Sequence, residues 1–160
     1  MEFMTSLLAD EKVVLVSHSF GGFAISKAME SFPENISVAV FVNALMPGPT
    51  LNATTSVTGV LSQLDNHVTY DNGPTNPPTT FILGFGAGHY VLRPLYAYSV
   101  EDVNKEILLS SKRYGSVRRV FIVAAEDKLL KKEFQQRMIE KNPPDEVKEI
   151  PGSDHMVMMS

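Results

Sequence analysis

The chain has 160 residues, 44% hydrophobic and 20% charged, which favours a single folded domain and excludes wholesale disorder. Fourteen Lys and Arg against eighteen Asp and Glu leave a net charge of −4, which argues against nucleic acid as a partner. The absence of Cys excludes disulfide scaffolds, thiolate metal sites and Cys nucleophiles. The apolar runs are too short to cross a bilayer and no secretory signal is recognisable, so we expect a cytoplasmic protein without membrane contact.

The first third of the chain has the pattern of a helix, a strand, a helix and a strand. Helical spacing of apolar residues predicts a helix over Met1–Ala9. The continuous apolar run in Lys12–Ser17 is typical of a parallel strand that is buried on both faces. A helix over Phe23–Phe32 and a strand over Ile36–Val42 follow. Four residues of the second helix are expected to face inward: Phe23, Ala24, Ala28 and Phe32.

The last third repeats this alternation, with a strand over Arg119–Ala125, a helix over Lys131–Asn142 and a short strand over Val147–Ile150. Strands that alternate with helices predict an α/β fold with a mostly parallel sheet and covering helices. Residues 47–115 are rich in Pro, Gly, Asn and Thr, and only Val100–Ser110 indicates a helix. We interpret this segment as a cap or lid over the sheet, with a disordered linker as the alternative.

The turn after the first strand has the pattern of a nucleophile elbow. Ser19 lies between that strand and a helix, where a Ser hydroxyl projects above the sheet. Ser17 occupies the first Gly position of the usual G-x-S-x-G pattern, whereas Gly21 and Gly22 are kept. The backbone N–H of Phe20, at the helix N-terminus, is a candidate oxyanion donor.

A Ser nucleophile needs a base, and the base needs an orienting acid. Asp127 and His155 each follow a predicted parallel strand, so both are expected on the same sheet edge as Ser19, in the chain order of this fold. Simpler interpretations stay open: Ser19 as a turn former, Asp127 as a helix cap and His155 as a surface residue. Glu126 and Asp154 are lesser candidates for the acid.

His18 precedes the candidate nucleophile and is interpreted either as a residue of the substrate pocket or as a structural one. No phosphate loop, zinc spacing or dinucleotide fingerprint occurs in the sequence. We therefore expect neither a metal nor a cofactor.

These residues resemble the plant methylesterase and hydroxynitrile lyase family of α/β-hydrolases, and the resemblance covers nearly the whole chain. It is carried by seven runs: Val13–Gly22, Lys27–Glu30, Ile36–Phe41, Arg113–Val117, Glu126–Lys128, Glu133–Gln135 and Gly152–Met156. The resemblance implies an α/β-hydrolase fold and a Ser19–His155–Asp127 triad. It also implies small apolar substrates such as methyl jasmonate, methyl salicylate or methyl indole-3-acetate.

Within the family, the chain is most similar to the methylketone synthase I branch, whose members decarboxylate β-keto acids. Four further runs carry this similarity: Leu45–Pro49, Asn72–Thr80, Leu109–Gly115 and Glu140–Glu149. The best-known member of that branch has Ala at the position of the nucleophile and Asn at that of the acid, whereas this chain has Ser19 and Asp127. Because function follows the site more closely than the fold, these two residues favour ester hydrolysis, with decarboxylation as the alternative.

Compared with the family, the chain resembles a single partial α/β-hydrolase domain over residues 1–160 that is incomplete at both ends. Family members begin with further core strands and a loop that supplies a second oxyanion N–H. A third alternative is therefore an inactive fragment with at most a binding role. The sequence leaves the number of associated chains open, and a homodimer is one of the states it allows.

Overall fold

The computed structural model describes residues 1–53, 55–56, 59, 65–69, 73, 80–85, 88–92 and 105–159. For residues 65–69, 80–85 and 88–92 it describes the backbone alone. The α-helices and strands whose bounds lie in these residues are α1 (Glu2–Thr5), β1 (Val13–Ser19), α2 (Gly21–Ser31), β2 (Ile36–Ala44), β3 (Asp65–Thr69), β4 (Thr80–Phe85), β5 (Gly88–Leu92), β6 (Arg119–Ala124), α3 (Lys132–Lys141) and β7 (Glu146–Ile150). Within the same residues, three short 3-10 helices cover Pro33–Asn35, Tyr114–Ser116 and Val157–Met159.

Strands β1, β2, β6 and β7 form one sheet in that order, and each neighbouring pair is parallel. The predicted α/β architecture is therefore confirmed. Apolar side chains of β2 and β6, with Phe41 and Phe121 fully buried, pack with those of α2 and α3 in one core. Because all four strands run in the same direction, their carboxyl ends lie along one edge of the sheet.

Helix α1 is shorter than the predicted helix over Met1–Ala9. The Thr5 and Ser6 hydroxyls donate to backbone carbonyls three residues back, and the helix ends there. Beyond it, Asn35 Nδ2 donates to the carbonyl oxygens of Leu8 and Glu11, at 3.0 Å each. These long-range hydrogen bonds hold residues 8–11 in a turn, which begins inside the predicted helix.

Of the four residues expected to face inward at α2, Ala28 is buried and Phe23 and Phe32 pack, partly buried, against the core, whereas Ala24 is exposed. The residues that are buried are Gly22, Ile25, Ser26, Ala28 and Met29. A Cβ atom at Gly22 would lie 1.8 Å from the carbonyl oxygen of Leu45, so only glycine fits there. This close approach holds the start of α2 against the chain that follows β2.

Strand β1 is buried on one face only, so the prediction of two buried faces is wrong for this strand. Val14 and Val16 are 58% and 63% exposed, whereas Val13 and Leu15 pack against the core. Strand β1 lies at the edge of the four-stranded sheet, and within the described residues nothing covers the face that carries Val14 and Val16.

The segment predicted to be a cap contains a second sheet, in which β3, β4 and β5 are antiparallel neighbours in that order. Of the predicted helix over Val100–Ser110, residues 100–104 lie outside the described residues. Lys105 and Glu106 are helical, and residues 107–110 are irregular. The role of residues 47–115 as a lid stays a prediction.

Candidate active site

Each strand of the parallel sheet brings one polar side chain to its carboxyl end. Ser19 is the last residue of β1, and Asn43 is the last but one of β2. Asp127 lies three residues after the end of β6, and His155 lies in the loop that follows β7. Sheet order and chain order coincide, so the four residues follow one another along the same edge. In open α/β sheets this edge is where ligands bind.

The chain turns sharply at Ser19. Its φ of 55° lies in the left-handed region, which is strained for any residue with a side chain. Only Phe20 separates Ser19 from the first residue of α2, and the carbonyl oxygen of Ser19 accepts a hydrogen bond from Leu45 N at 2.9 Å. The start of α2 passes close to β1, because a Cβ atom at Gly21 would lie 3.5 Å from Ser17 Cβ. A small residue such as Ser therefore fits at position 17. The local geometry is that of a nucleophile elbow.

Asp127 and His155 form a hydrogen-bonded pair. Nδ1 of His155 lies 2.8 Å from Oδ2 of Asp127, and Leu129 N donates to the other carboxylate oxygen at 2.6 Å. The Asp127 side chain is fully buried, and that of His155 is 23% exposed. Burial alone would raise the pKa of Asp127, but the hydrogen bonds from His155, Asn43 and the Leu129 amide outweigh it and lower this pKa. An ionised Asp127 holds the imidazole proton on Nδ1 and leaves Nε2 as a base.

Asn43 is a third member of this cluster, and the sequence analysis missed it. Its Nδ2 donates to Asp127 Oδ2 at 2.5 Å and lies 3.2 Å from His155 Nδ1. Asn43 is fully buried, and its φ of 43° is again left-handed. The rule that brought Asp127 and His155 to one sheet edge applies equally to the end of β2. Asn43 was not predicted because the motifs used, the nucleophile elbow and the Ser–acid–His order, do not include a residue at the end of β2.

His18, in β1, contacts the loop after β7 that carries His155. Its Nε2 donates to the backbone carbonyl oxygen of His155 at 2.7 Å, and the two rings lie 4.7 Å apart between centroids. Of the two roles open to His18, this contact favours a structural one that fixes the backbone of His155.

Some of the candidate residues are not brought into contact. The hydrogen bonds of the described residues include none between Ser19 Oγ and the imidazole of His155. Phe20 is 39% exposed. Its N–H lies at the N-terminus of α2, as predicted, because Phe20 directly precedes the first residue of that helix. Glu126 is exposed, and the Asp154 carboxylate accepts from Met156 N, so neither takes the place of Asp127.

Across the described ranges, no three His, Asp or Glu side chains lie close enough together to share a metal ion. The helices in those ranges are also too short or too polar to span a bilayer.

Ser, His and Asp with an elbow backbone are the parts of a site that transfers acyl groups. The sequence matches the Alpha/beta hydrolase family over residues 2–160. It is 45% identical to methyl jasmonate esterase 1 of Vitis vinifera and 38% identical to polyneuridine aldehyde esterase of Rauvolfia serpentina, over the full length of this chain. It is 61% identical to tomato methylketone synthase I in a crystal structure with 2-tridecanone, over 98% of this chain with a TM-score of 0.84. The chain covers 69% of each of these longer proteins.

The chain therefore belongs to the alpha/beta hydrolase family. Within that family its relatives are plant methylesterases, and they identify it as an enzyme of the serine esterase type.

Proposed function

We propose that this protein hydrolyses small carboxylic esters with Ser19 as the nucleophile, His155 as the general base and Asp127 as the residue that orients the imidazole. The observation that carries the proposal is the 2.8 Å hydrogen bond between His155 Nδ1 and buried Asp127, on the sheet edge where Ser19 has the backbone of a nucleophile elbow. This arrangement supplies the activated base that a Ser hydroxyl requires at neutral pH.

In the reaction, Ser19 Oγ attacks the ester carbonyl carbon while His155 Nε2 accepts the hydroxyl proton. The ester C–O bond then breaks, and the imidazolium returns the proton to the departing alcohol. Water attacks the acyl-enzyme by the same route and releases the acid. Asp127 stays ionised throughout, which stabilises the imidazolium that forms between the two transfers.

The backbone N–H of Phe20 is the proposed oxyanion donor, because it lies at the start of α2 and immediately after the nucleophile. We propose as substrates methyl esters of plant hormone acids, namely methyl jasmonate, methyl salicylate and methyl indole-3-acetate. The first agrees with the name of the Vitis vinifera relative. We place this activity in the cytoplasm.

Decarboxylation of β-keto acids is the second candidate, favoured by the 61% identity with tomato methylketone synthase I, against 45% with the methyl jasmonate esterase. In this reaction the bond between the α-carbon and the carboxyl carbon breaks, CO₂ leaves and the resulting enolate takes up a proton. His155 would bind and protonate the substrate, and no acyl-enzyme would form. We rank this reaction second because it does not need a serine nucleophile, whereas the chain has Ser19 and Asp127 at the positions that ester hydrolysis uses.

The substitution Ser19→Ala separates the two candidates. The purified chain, Ser19→Ala and the control Ser31→Ala, which removes an exposed hydroxyl at the end of α2, are each given the three methyl esters and β-ketoheptanoate. We expect Ser19→Ala to lose at least about 10³-fold of the ester hydrolysis, since no other group replaces the nucleophile, and Ser31→Ala to lose none. If the parent hydrolyses none of the esters but releases a methyl ketone, and Ser19→Ala still releases it, decarboxylation would replace ester hydrolysis as the proposed function.

A further inference from the structure

Asn43 makes contacts that neither the triad nor the core accounts for. One atom, Nδ2, lies 2.5 Å from Asp127 Oδ2, 3.2 Å from His155 Nδ1 and 3.5 Å from the carbonyl oxygen of His155. Among the described residues, no other side chain lies within hydrogen-bonding distance of both Asp127 and His155. Its own Oδ1 is buried without a partner in the same ranges. A fully buried amide with one unsatisfied end is costly, so a purely structural role explains it poorly.

The chemistry of Asp127 and His155 determines which end of the Asn43 amide faces them. Oδ2 of an ionised Asp127 only accepts hydrogen bonds, so the group at 2.5 Å must be the Nδ2 donor and not Oδ1. The His155 proton on Nδ1 also points to Oδ2. One carboxylate oxygen thus accepts from Asn43 and from His155, while the other accepts from the Leu129 amide. These bonds leave the carboxylate a single orientation.

We infer that Asn43 is a positioning residue for catalysis, which holds the Asp127 carboxylate ionised and aimed at Nδ1 of His155. The inference rests on the proposed function for its catalytic consequence, but the contact itself does not. Asn43 acts through Asp127 and touches neither the nucleophile nor the proposed reacting atoms.

The left-handed backbone at Asn43 provides a clean way to remove the amide. Glycine adopts a φ of 43° without strain, so Asn43→Gly deletes the donor and leaves the backbone as it is. The matched control is Ala39→Gly, which loosens the same strand at a fully buried position on its interior. A general loss of strand stability would affect both variants, whereas loss of the carboxylate donor affects only the first.

We expect Asn43→Gly to lower kcat by about 10²-fold with little change in KM, because misplacement of a catalytic group by about 1 Å has that effect. Ala39→Gly should keep the parent kcat. In a background of Asp127→Asn, adding Asn43→Gly should lower kcat less than about threefold, since the residue through which Asn43 acts is already altered. Equal losses in both backgrounds, or in both glycine variants, would overturn the inference.

A second measurement needs no enzymatic activity. The carboxyl carbon of Asp127, followed by NMR against pH, should titrate at a higher pKa in Asn43→Gly than in the parent and in Ala39→Gly, because one hydrogen bond to the charged form is lost. An unchanged titration would overturn the inference. If the pKa of Asp127 rises in Asn43→Gly but the parent hydrolyses no ester, the hydrogen bond from Asn43 to Asp127 is supported and the proposed function is contradicted.

If Asn43→Gly fails to fold, Asn43→Asp provides the test. This substitution places a second carboxyl group 2.5 Å from Asp127 Oδ2, where the two must share a proton. The pair binds that proton more tightly when folded than when unfolded, so stability should fall relative to the parent as pH rises from roughly 4 to 7. A variant as stable as the parent throughout that range would overturn the inference.

Discussion

The two halves of the candidate site are held in place by different means. Asp127 and His155 are positioned by side-chain hydrogen bonds, at 2.8 Å to each other and 2.5 Å from Asp127 to Asn43. Ser19 makes no such bond in the described structure, and its position follows from the backbone: a φ of 55° and the tight contact of Gly22 with Leu45.

The difference shows which changes each half tolerates. The proposed acid–base half, Asp127 and His155, depends on the protonation of a buried carboxylate, so it responds to pH and to the loss of donors. The proposed nucleophile half, Ser19 and the start of α2, depends on steric fit, so it responds to added atoms and to the backbone preferences of the substituted residue. Each half can therefore be broken separately.

The largest expected effect is on activity in the acid–base half. Asp127→Asn keeps the size of the side chain but replaces the acceptor of the Nδ1 proton with a group that can turn a donor toward it. The imidazole then loses the tautomer that leaves Nε2 as the base, and kcat should fall by about 10⁴-fold with the fold kept. Steady-state kinetics measure kcat, and a thermal melt of the same preparation shows whether the fold is kept. Full activity in the folded variant would remove Asp127 from the mechanism.

The next effect is on the stability of the nucleophile half. Gly22→Ala places a methyl group 1.8 Å from the Leu45 carbonyl oxygen, which is a backbone atom and cannot turn aside. We expect a loss of about 1–3 kcal/mol or more in the free energy of unfolding. Gly115→Ala is the control, since its nearest neighbour would be 3.8 Å away. Equal denaturation midpoints for the two variants would mean that α2 does not approach Leu45 this closely.

A smaller effect concerns the pH dependence of stability. The pKa of Asp127 is lower in the folded chain than in the unfolded one, so its stabilising contribution is complete above about pH 4 and disappears as pH falls through the folded pKa. Unfolding of the parent and of Asp127→Asn by urea should therefore differ most near neutral pH and converge in acid. A difference that stays constant with pH would show that ionisation of Asp127 does not contribute.

The smallest effect distinguishes two ways of removing the Ser19 hydroxyl. Ser19→Gly and Ser19→Ala both delete the hydroxyl, but only glycine adopts a φ of 55° without strain. Ser19→Gly should be the more stable by about 1 kcal/mol, or about 2–4 °C in Tm for a chain of this size. The reverse order would mean that the backbone at Ser19 is unstrained.

Much of the fold could be predicted because the parallel strands are marked by short apolar runs. The predicted strand over Ile36–Val42 corresponds to β2 (Ile36–Ala44), and the predicted helix over Lys131–Asn142 to α3 (Lys132–Lys141). The roles assigned to Ser19, Asp127 and His155 stay predictions, although the last two are hydrogen-bonded as expected.

The features that could not be predicted depend on contacts between distant parts of the chain. The turn after α1 is held by Asn35, more than twenty residues away in sequence, and the close contact of Gly22 with Leu45 likewise joins distant parts of the chain. Asn43 was missed for a different reason, because its importance comes from residues that follow it by 84 and 112 positions.

The most direct test of the central claim, an activated serine at position 19, is labelling of the purified chain with a fluorophosphonate, read by intact mass beside Ser19→Ala. These reagents form a stable adduct with a Ser whose hydroxyl is deprotonated by a neighbouring base. We predict one adduct per chain in the parent and none in Ser19→Ala. A folded parent chain that stays unlabelled, or an adduct that persists in Ser19→Ala, would contradict the account.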